Sequence, residues 1–136
     1  MGKKKIVIDT NTLISAFGWG GKPFEIVSRV IGGKYELILS LKQMEEFIRV
    51  LDYPKFGFTD EQKERFYLLL FGISTVIKTK TKLEGISRDA KDDTLLEPAK
   101  DMKIDYIITG DKDLLVLKEF ESAKIVAASQ FLEENP

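Results

Sequence analysis

Short apolar runs that stop abruptly at a polar or acidic residue constrain this chain more than any other feature. Lys4–Ile8 ends at Asp9-Thr10-Asn11, Tyr35–Leu39 ends at Ser40, and Asp105–Thr109 runs into Gly110-Asp111. Ile73–Lys78 and Lys124–Ala128 have the same strand-like length. Runs this short and this rich in β-branched residues read as strands buried on both faces. Helix signals fill the gaps. Thr10 or Asn11 caps a helix towards Phe17, and Gly18 to Gly21 stop it. Pro23 suits the first turn of a helix over Phe24–Ile31, which Gly32-Gly33 ends. Ser40 with Gln43, and Thr59 with Gln62, read as capping boxes for helices over Leu41–Leu51 and up to Phe71. Asp92–Met102 reads as a helix that Pro98 kinks or displaces. Ser129 caps a short last helix. Asp52–Phe58 and Thr79–Lys91 are loops, and a single helical turn falls within Gly110–Leu117. Strands alternating with helices predict an α/β sandwich around a mainly parallel sheet.

Composition narrows the chemistry. The 136 residues suffice for one core, so residues 1–136 read as a single domain, with 43% hydrophobic and 32% charged residues. There is no cysteine and no histidine. That excludes disulfides, thiolate and imidazole metal sites, the Ser-His-Asp triad and an imidazole proton shuttle. The formal net charge of −1 provides no bulk attraction for nucleic acid, so any such contact rests on local clusters. The basic start Lys3-Lys4-Lys5 is followed by too few apolar residues for a secretory signal or a membrane span. A cytoplasmic protein that does not enter a membrane is the expectation.

Ligand sites in parallel sheets lie beyond the carboxyl ends of the strands. Asp9 and Asp111 follow two such strands. Glu46 stands about 9 Å along the helix after Ser40, within reach of the same rim, and Asp92 opens the helix that leads into the fourth strand. Taken singly, each acid has an ordinary reading: Asp92 as a helix cap, Glu46 as surface charge like Glu45. Taken together, four carboxylates in one pocket would repel one another unless a hard divalent cation joined them.

Ile6-Val7-Ile8-Asp9-Thr10-Asn11, Ser40 with Glu46, Asp89-Ala90-Lys91-Asp92-Asp93, and Thr109-Gly110-Asp111-Lys112-Asp113 occur in this order. Over Ile6–Leu132 the chain thereby resembles the PIN-domain family of metal-dependent nucleases, which includes the toxins of VapBC-type toxin–antitoxin pairs. The stretch Ser40–Lys55 resembles members assigned as toxin components. The resemblance implies a three-layer α/β/α sandwich with a mainly parallel central sheet. It places the family's acidic quartet, which is both metal-binding and catalytic, on Asp9, Glu46, Asp92 and Asp111. Glu45 stands as the alternative to Glu46, and Asp93 as the alternative to Asp92. Asn11, Thr109 and Asp113 match positions that orient those carboxylates.

An oxygen-only ligand set suits Mg²⁺ or Mn²⁺, which activates water against a phosphodiester. Without histidine, hydrolysis leaving 5′-phosphate ends is expected, and the family implies RNA as the substrate of an endoribonuclease. Arg88 and Lys112, flanking the acids, are the leading phosphate contacts. Lys22, Lys55, Lys91 and the Lys78-Thr79-Lys80-Thr81-Lys82 run are further candidates. Trp19 reads as a core or interface anchor, or as a base-stacking platform. The family and the abundance of aromatic residues imply a homodimer and an antitoxin partner. The rival readings are a catalytically weak PIN scaffold that binds RNA or a protein, and an aspartyl-phosphate phosphatase or receiver. The last two lack their second Asp (Asn11 stands there) and their acidic pair.

Overall fold

Residues 2–86 and 90–136 are described by the computed structural model. The strands are β1 (Lys4–Ile8), β2 (Tyr35–Ser40), β3 (Ser74–Ile77), β4 (Tyr106–Ile108), β5 (Glu119–Phe120) and β6 (Ala123–Val126). The helices are α1 (Thr10–Trp19), α2 (Gly21–Ile31), α3 (Leu41–Leu51), α4 (Asp60–Ile73), α5 (Ala90–Asp101), α6 (Lys112–Leu115) and α7 (Ala128–Glu134). One sheet has the order β3-β2-β1-β4-β6-β5, parallel throughout except for β5 against β6.

Successive strand residues point to opposite faces, and here both faces are apolar. Ile6, Ile8, Leu37, Leu39, Tyr106 and Ile108 turn one way, into a core closed by α1, α2, α3, α4 and α7. Val7, Ile38, Ile107 and Ile125 turn the other way, against Leu95, Leu96 and Ala99 of α5 and Leu114 of α6. The result is the α/β/α sandwich with a mainly parallel sheet.

Several local signals resolve differently from the sequence reading. Asp9, not Thr10 or Asn11, caps α1, its Oδ1 accepting from the Thr12 N–H at 2.7 Å. Gly18 lies inside α1, where a Cβ would stand 2.9 Å from the Phe58 ring; Gly20, at φ 80°, ends the helix. Ser40 caps α3, but the Gln43 side chain does not return to it. The Gln43 amide donates instead to the Ile8 carbonyl at 2.6 Å, because that buried strand-end oxygen needs a partner. The Thr59–Gln62 capping box is complete. Ala127 rather than Ser129 caps α7. The two-residue β5 carries no periodicity in the sequence; positive φ at Lys118 and Glu121 sets its hairpin.

The described part of the predicted loop after β3 is strapped along α5. Asp93, Glu97 and Asp101 recur every four residues and so share one side of the helix. Asp101 accepts from Lys80 N–H at 2.5 Å and from Thr81, Glu97 from Leu83 N–H at 2.9 Å, and Asp93 from Ile86 N–H at 3.3 Å. Glu97, only 1% exposed, has its charge met by Lys42 at 3.1 Å. The Thr81 hydroxyl and the Lys80 N–H hold the Asp101 carboxyl below its usual range. Pro98 sits within α5, and Met102 N–H closes on its carbonyl at 3.0 Å.

α7 is fastened to the sheet by Glu134, which accepts from Lys124, Gln130 and Tyr106, each at 2.9 Å. Lys124 above all, then Gln130 and Tyr106, holds the Glu134 carboxyl down at about 2, against 4.5 when free. A depressed carboxyl stabilises the fold above its unfolded pKa and loses that contribution as acid protonates it. Urea midpoints between pH 6 and pH 2.5 should therefore fall more steeply for the native chain than for Glu134→Gln. Parallel slopes would show that this cluster contributes nothing.

Candidate active site

The strand order reverses direction at β1. β2 and β3 extend to one side of it, and β4 and β6 to the other. A crevice forms beyond the carboxyl ends at such a point because the following connections leave to opposite faces. Asp9 and Thr109 leave β1 and β4 there at matching height. Ile8 pairs with Ile108, and the Asp9 N–H donates to the Ile108 carbonyl at 2.9 Å. The buried Thr109 hydroxyl donates to Asp9 Oδ2 and accepts from the Asp111 N–H at 3.0 Å. Asp111 caps the short α6 through Asp113 N–H, at 2.8 Å.

The other two acids arrive on helices. The Ser40 cap and the Gln43–Ile8 bond fix the first turn of α3 against β1. Glu46, one turn further on, then meets the Thr10 hydroxyl, which donates to its Oε1. Asp92 lies in the first turn of α5. Asp9, Glu46, Asp92 and Asp111 line one cavity of 210 Å³ with Thr10, Asn11, Tyr53 and Lys55. Asp9, Asn11 and Asp111 also line an adjoining hollow of 390 Å³ with Thr109 and Gly110. Asp9 and Asp111 thus form a ridge between two depressions.

The alternatives separate cleanly. Glu46 lines the acidic cleft, whereas Glu45 is exposed and does not, reaching only a neighbouring depression that both glutamates line with Lys42 and Arg49. Asp92 faces the cleft, whereas Asp93 is 3% exposed and spent on Ile86. One orienting assignment is corrected. Thr10, not Asn11, holds Glu46, because the hydroxyl rather than the exposed amide comes within reach. Asp113 holds Asp111 through its backbone N–H. Lys112 is exposed and lines neither hollow, as α6 turns it outward; Lys22, Lys78, Lys80 and Lys82 also line neither. Arg88 and the side chain of Lys91 lie outside the described residues. Sequence reasoning gave no role in the site to Thr10, Gln43 or Tyr53. A β-strand ending in Asp-Thr beside a helix with a buried Gln was the only available sign.

Among the described residues, four carboxylates against one lysine leave the cleft strongly negative. A carboxylate offers about four lone-pair sites, and the donors given for Asp9, Glu46 and Asp111 use one or two of them. Oxygen-only donors with excess negative charge fit a hard divalent cation, and no nitrogen or sulfur ligand competes. Among the described residues, no three acidic side chains are gathered closely enough to hold an ion as they stand.

A family model described as a PIN domain matches residues 5–113, a span that includes all four cleft acids. No curated protein matches the chain.

Like charges around the cleft cost stability that neutralisation recovers. In EDTA, Glu46→Gln should raise the urea-unfolding free energy by about 1 kcal/mol, since the amide oxygen still accepts from Thr10. Asp93→Ala should lower it by about 1–3 kcal/mol, because the buried acceptor of the Ile86 N–H is lost. The reverse order would exchange the roles given to these two acids.

Proposed function

Because this chain belongs to the PIN-domain family, we propose that its cleft is the active site of a nuclease that hydrolyses RNA with Mg²⁺ or Mn²⁺. One observation carries the reading: four carboxylates from four remote segments line a single cavity at the switch point of the sheet. Asp9, Glu46, Asp92 and Asp111 would hold the ion. When bound, it supplies Lewis acidity and an activated water. The chain's own residues do the positioning. Thr109 and the Thr12 N–H fix both oxygens of Asp9, Thr10 fixes Glu46, and the Asp113 N–H fixes Asp111. Lys55 offsets phosphate charge at the cleft wall. The carboxylates repel a phosphodiester until a cation neutralises them, so the site discriminates against empty turnover. No imidazole pair exists to work through a ribose 2′-hydroxyl.

The reading extends to a toxin-type protein that forms a homodimer and is held by an antitoxin. Leu68 and Phe71 on α4, with Ile48 on α3, support this extension, being 55%, 56% and 44% exposed.

Cleaved RNA should carry 5′-phosphate and 3′-hydroxyl ends. EDTA should abolish cleavage, and Mn²⁺ or Mg²⁺ should restore it. Thr109→Val should slow the rate about 10- to 100-fold, and Asp9→Asn by more. Activity that survives in Asp111→Asn, or EDTA-resistant cleavage to 2′,3′-cyclic ends, would sink the assignment. Light scattering should give twice the 15.5 kDa chain mass, falling to the monomer in Leu68→Glu/Phe71→Glu. A native chain that is monomeric at tens of micromolar, by rough estimate for a standard interface, would remove the dimer.

A further inference from the structure

Tyr53 and Lys55 line the acidic cleft without belonging to its carboxylates. They sit on a connection that its own backbone stiffens. Tyr53 N–H donates to the Val50 carbonyl at 3.0 Å, Phe56 N–H to Tyr53 at 3.1 Å, and Gly57 N–H to Pro54 at 3.1 Å. Gly57, at φ 63°, takes the left-handed turn that ends it. From the cleft outward, the rings of this connection form a run. Tyr53 lies within 3° of parallel to Phe56, with centroids 6.4 Å apart. Phe56 lies within 14° of parallel to Phe58, at 5.6 Å. Trp19 closes the run, 5.9 Å from Phe56 and 5.6 Å from Phe58. The two outer members face solvent: Trp19 is 64% exposed and Tyr53 36%. The Lys55 ammonium lies 5.1 Å from the Phe56 centroid.

We propose that this run is a nucleobase-stacking subsite, where unpaired bases of a single-stranded RNA rest on Tyr53 and Trp19 while Lys55 takes a backbone phosphate. The inference rests on the nuclease reading of the cleft. Every base presents a π face, so such a platform binds without regard to sequence. A duplex keeps its bases stacked on one another and cannot use it. Lys55 is the one basic side chain lining the cleft among the described residues, so it meets phosphate where four carboxylates repel it. Continuity of the rings with the cleft favours a strand that enters the cleft over a protein that covers it.

Trp19 is the only tryptophan of the chain, so its fluorescence reports this subsite directly. The full-length Glu46→Gln chain with Mg²⁺, titrated with a ten-nucleotide oligoadenylate, should show quenched emission. Affinity comes from the anisotropy of the same oligonucleotide labelled with fluorescein. Tyr53→Ala and Trp19→Ala should each weaken binding about 5- to 100-fold, with Tyr53→Phe retaining it. Lys55→Ala should lower the slope of log affinity against log salt by about one. A ten-base-pair RNA duplex should respond to Lys55→Ala and not to Tyr53→Ala. Unquenched Trp19 together with full affinity in Tyr53→Ala overturns the proposal. So does a Trp19→Ala chain of halved scattering mass and unchanged oligonucleotide affinity, which would assign the rings to protein contact. Cleavage by the native chain is measured separately. A chain that cuts no RNA yet stacks it overturns the nuclease reading alone, and one that cuts RNA without stacking overturns this one alone.

Discussion

The closure of β1 against β4 at their carboxyl ends is the constraint on which the rest of the molecule depends. Asp9 N–H reaches the Ile108 carbonyl, and Thr109, one residue further along, turns its hydroxyl onto the Asp9 carboxylate. A parallel pair of this kind cannot be made by a hairpin, because a crossover must carry the chain back. Here a hundred residues separate Asp9 from Thr109, and nearly the whole fold intervenes. Once the pair forms, the topological reversal beside it opens a crevice. Asp9 and Asp111 then stand on the ridge between its two hollows, because they lie one and three residues beyond the last paired positions.

The remaining acids are delivered by helices whose own anchoring is polar and buried. Gln43 spends its amide on the Ile8 carbonyl, which ties α3 to the same strand end that presents Asp9. Glu46 is therefore indexed to Asp9 through the backbone of β1, and Thr10 completes the link. α5 is held by a different device. Asp93, Glu97 and Asp101 form a column that accepts backbone donors from residues 80–86, so the helix is strapped along its length. Neighbouring acids in one helix thus have opposite fates. Asp93 is buried in structural bonds and Asp92 is turned to the cleft, as residues one apart on a helix must diverge by about 100°.

The ring run that leads out of the cleft from Tyr53 depends on small residues too. Gly18 leaves room for Phe58 to lie against α1, and Gly57 closes the short turn that brings Phe56 beside Tyr53. Phe56 and Phe58 pack against the larger core with one edge, while Tyr53 and Trp19 carry the run outward from it. Their position at the mouth of a charged cavity places a sequence-tolerant surface next to a strongly charged one.

Much of the plan was legible along the chain. Apolar runs over residues 4–8, 35–39 and 105–109 became strands, since only burial on both faces explains unbroken Ile, Leu and Val at that length. Acids placed directly after those strands had to reach the carboxyl rim, so Asp9 and Asp111 followed from local order alone. What the sequence left open depended on direction in space. Glu45 against Glu46, and Asp92 against Asp93, are equivalent in propensity and charge; only the rotation of α3 and α5 on the sheet separates them. Gln43 looked like half of a capping box, and Asp9 did not look like a cap. The same polar atoms serve local or distant partners, and burial of the Ile8 carbonyl decided which. Lys112 and Tyr53 show the same limit. A lysine flanked by acids in the chain turns away from the cleft, and a tyrosine after a helix enters it, because neighbours in space are set by packing and not by sequence distance.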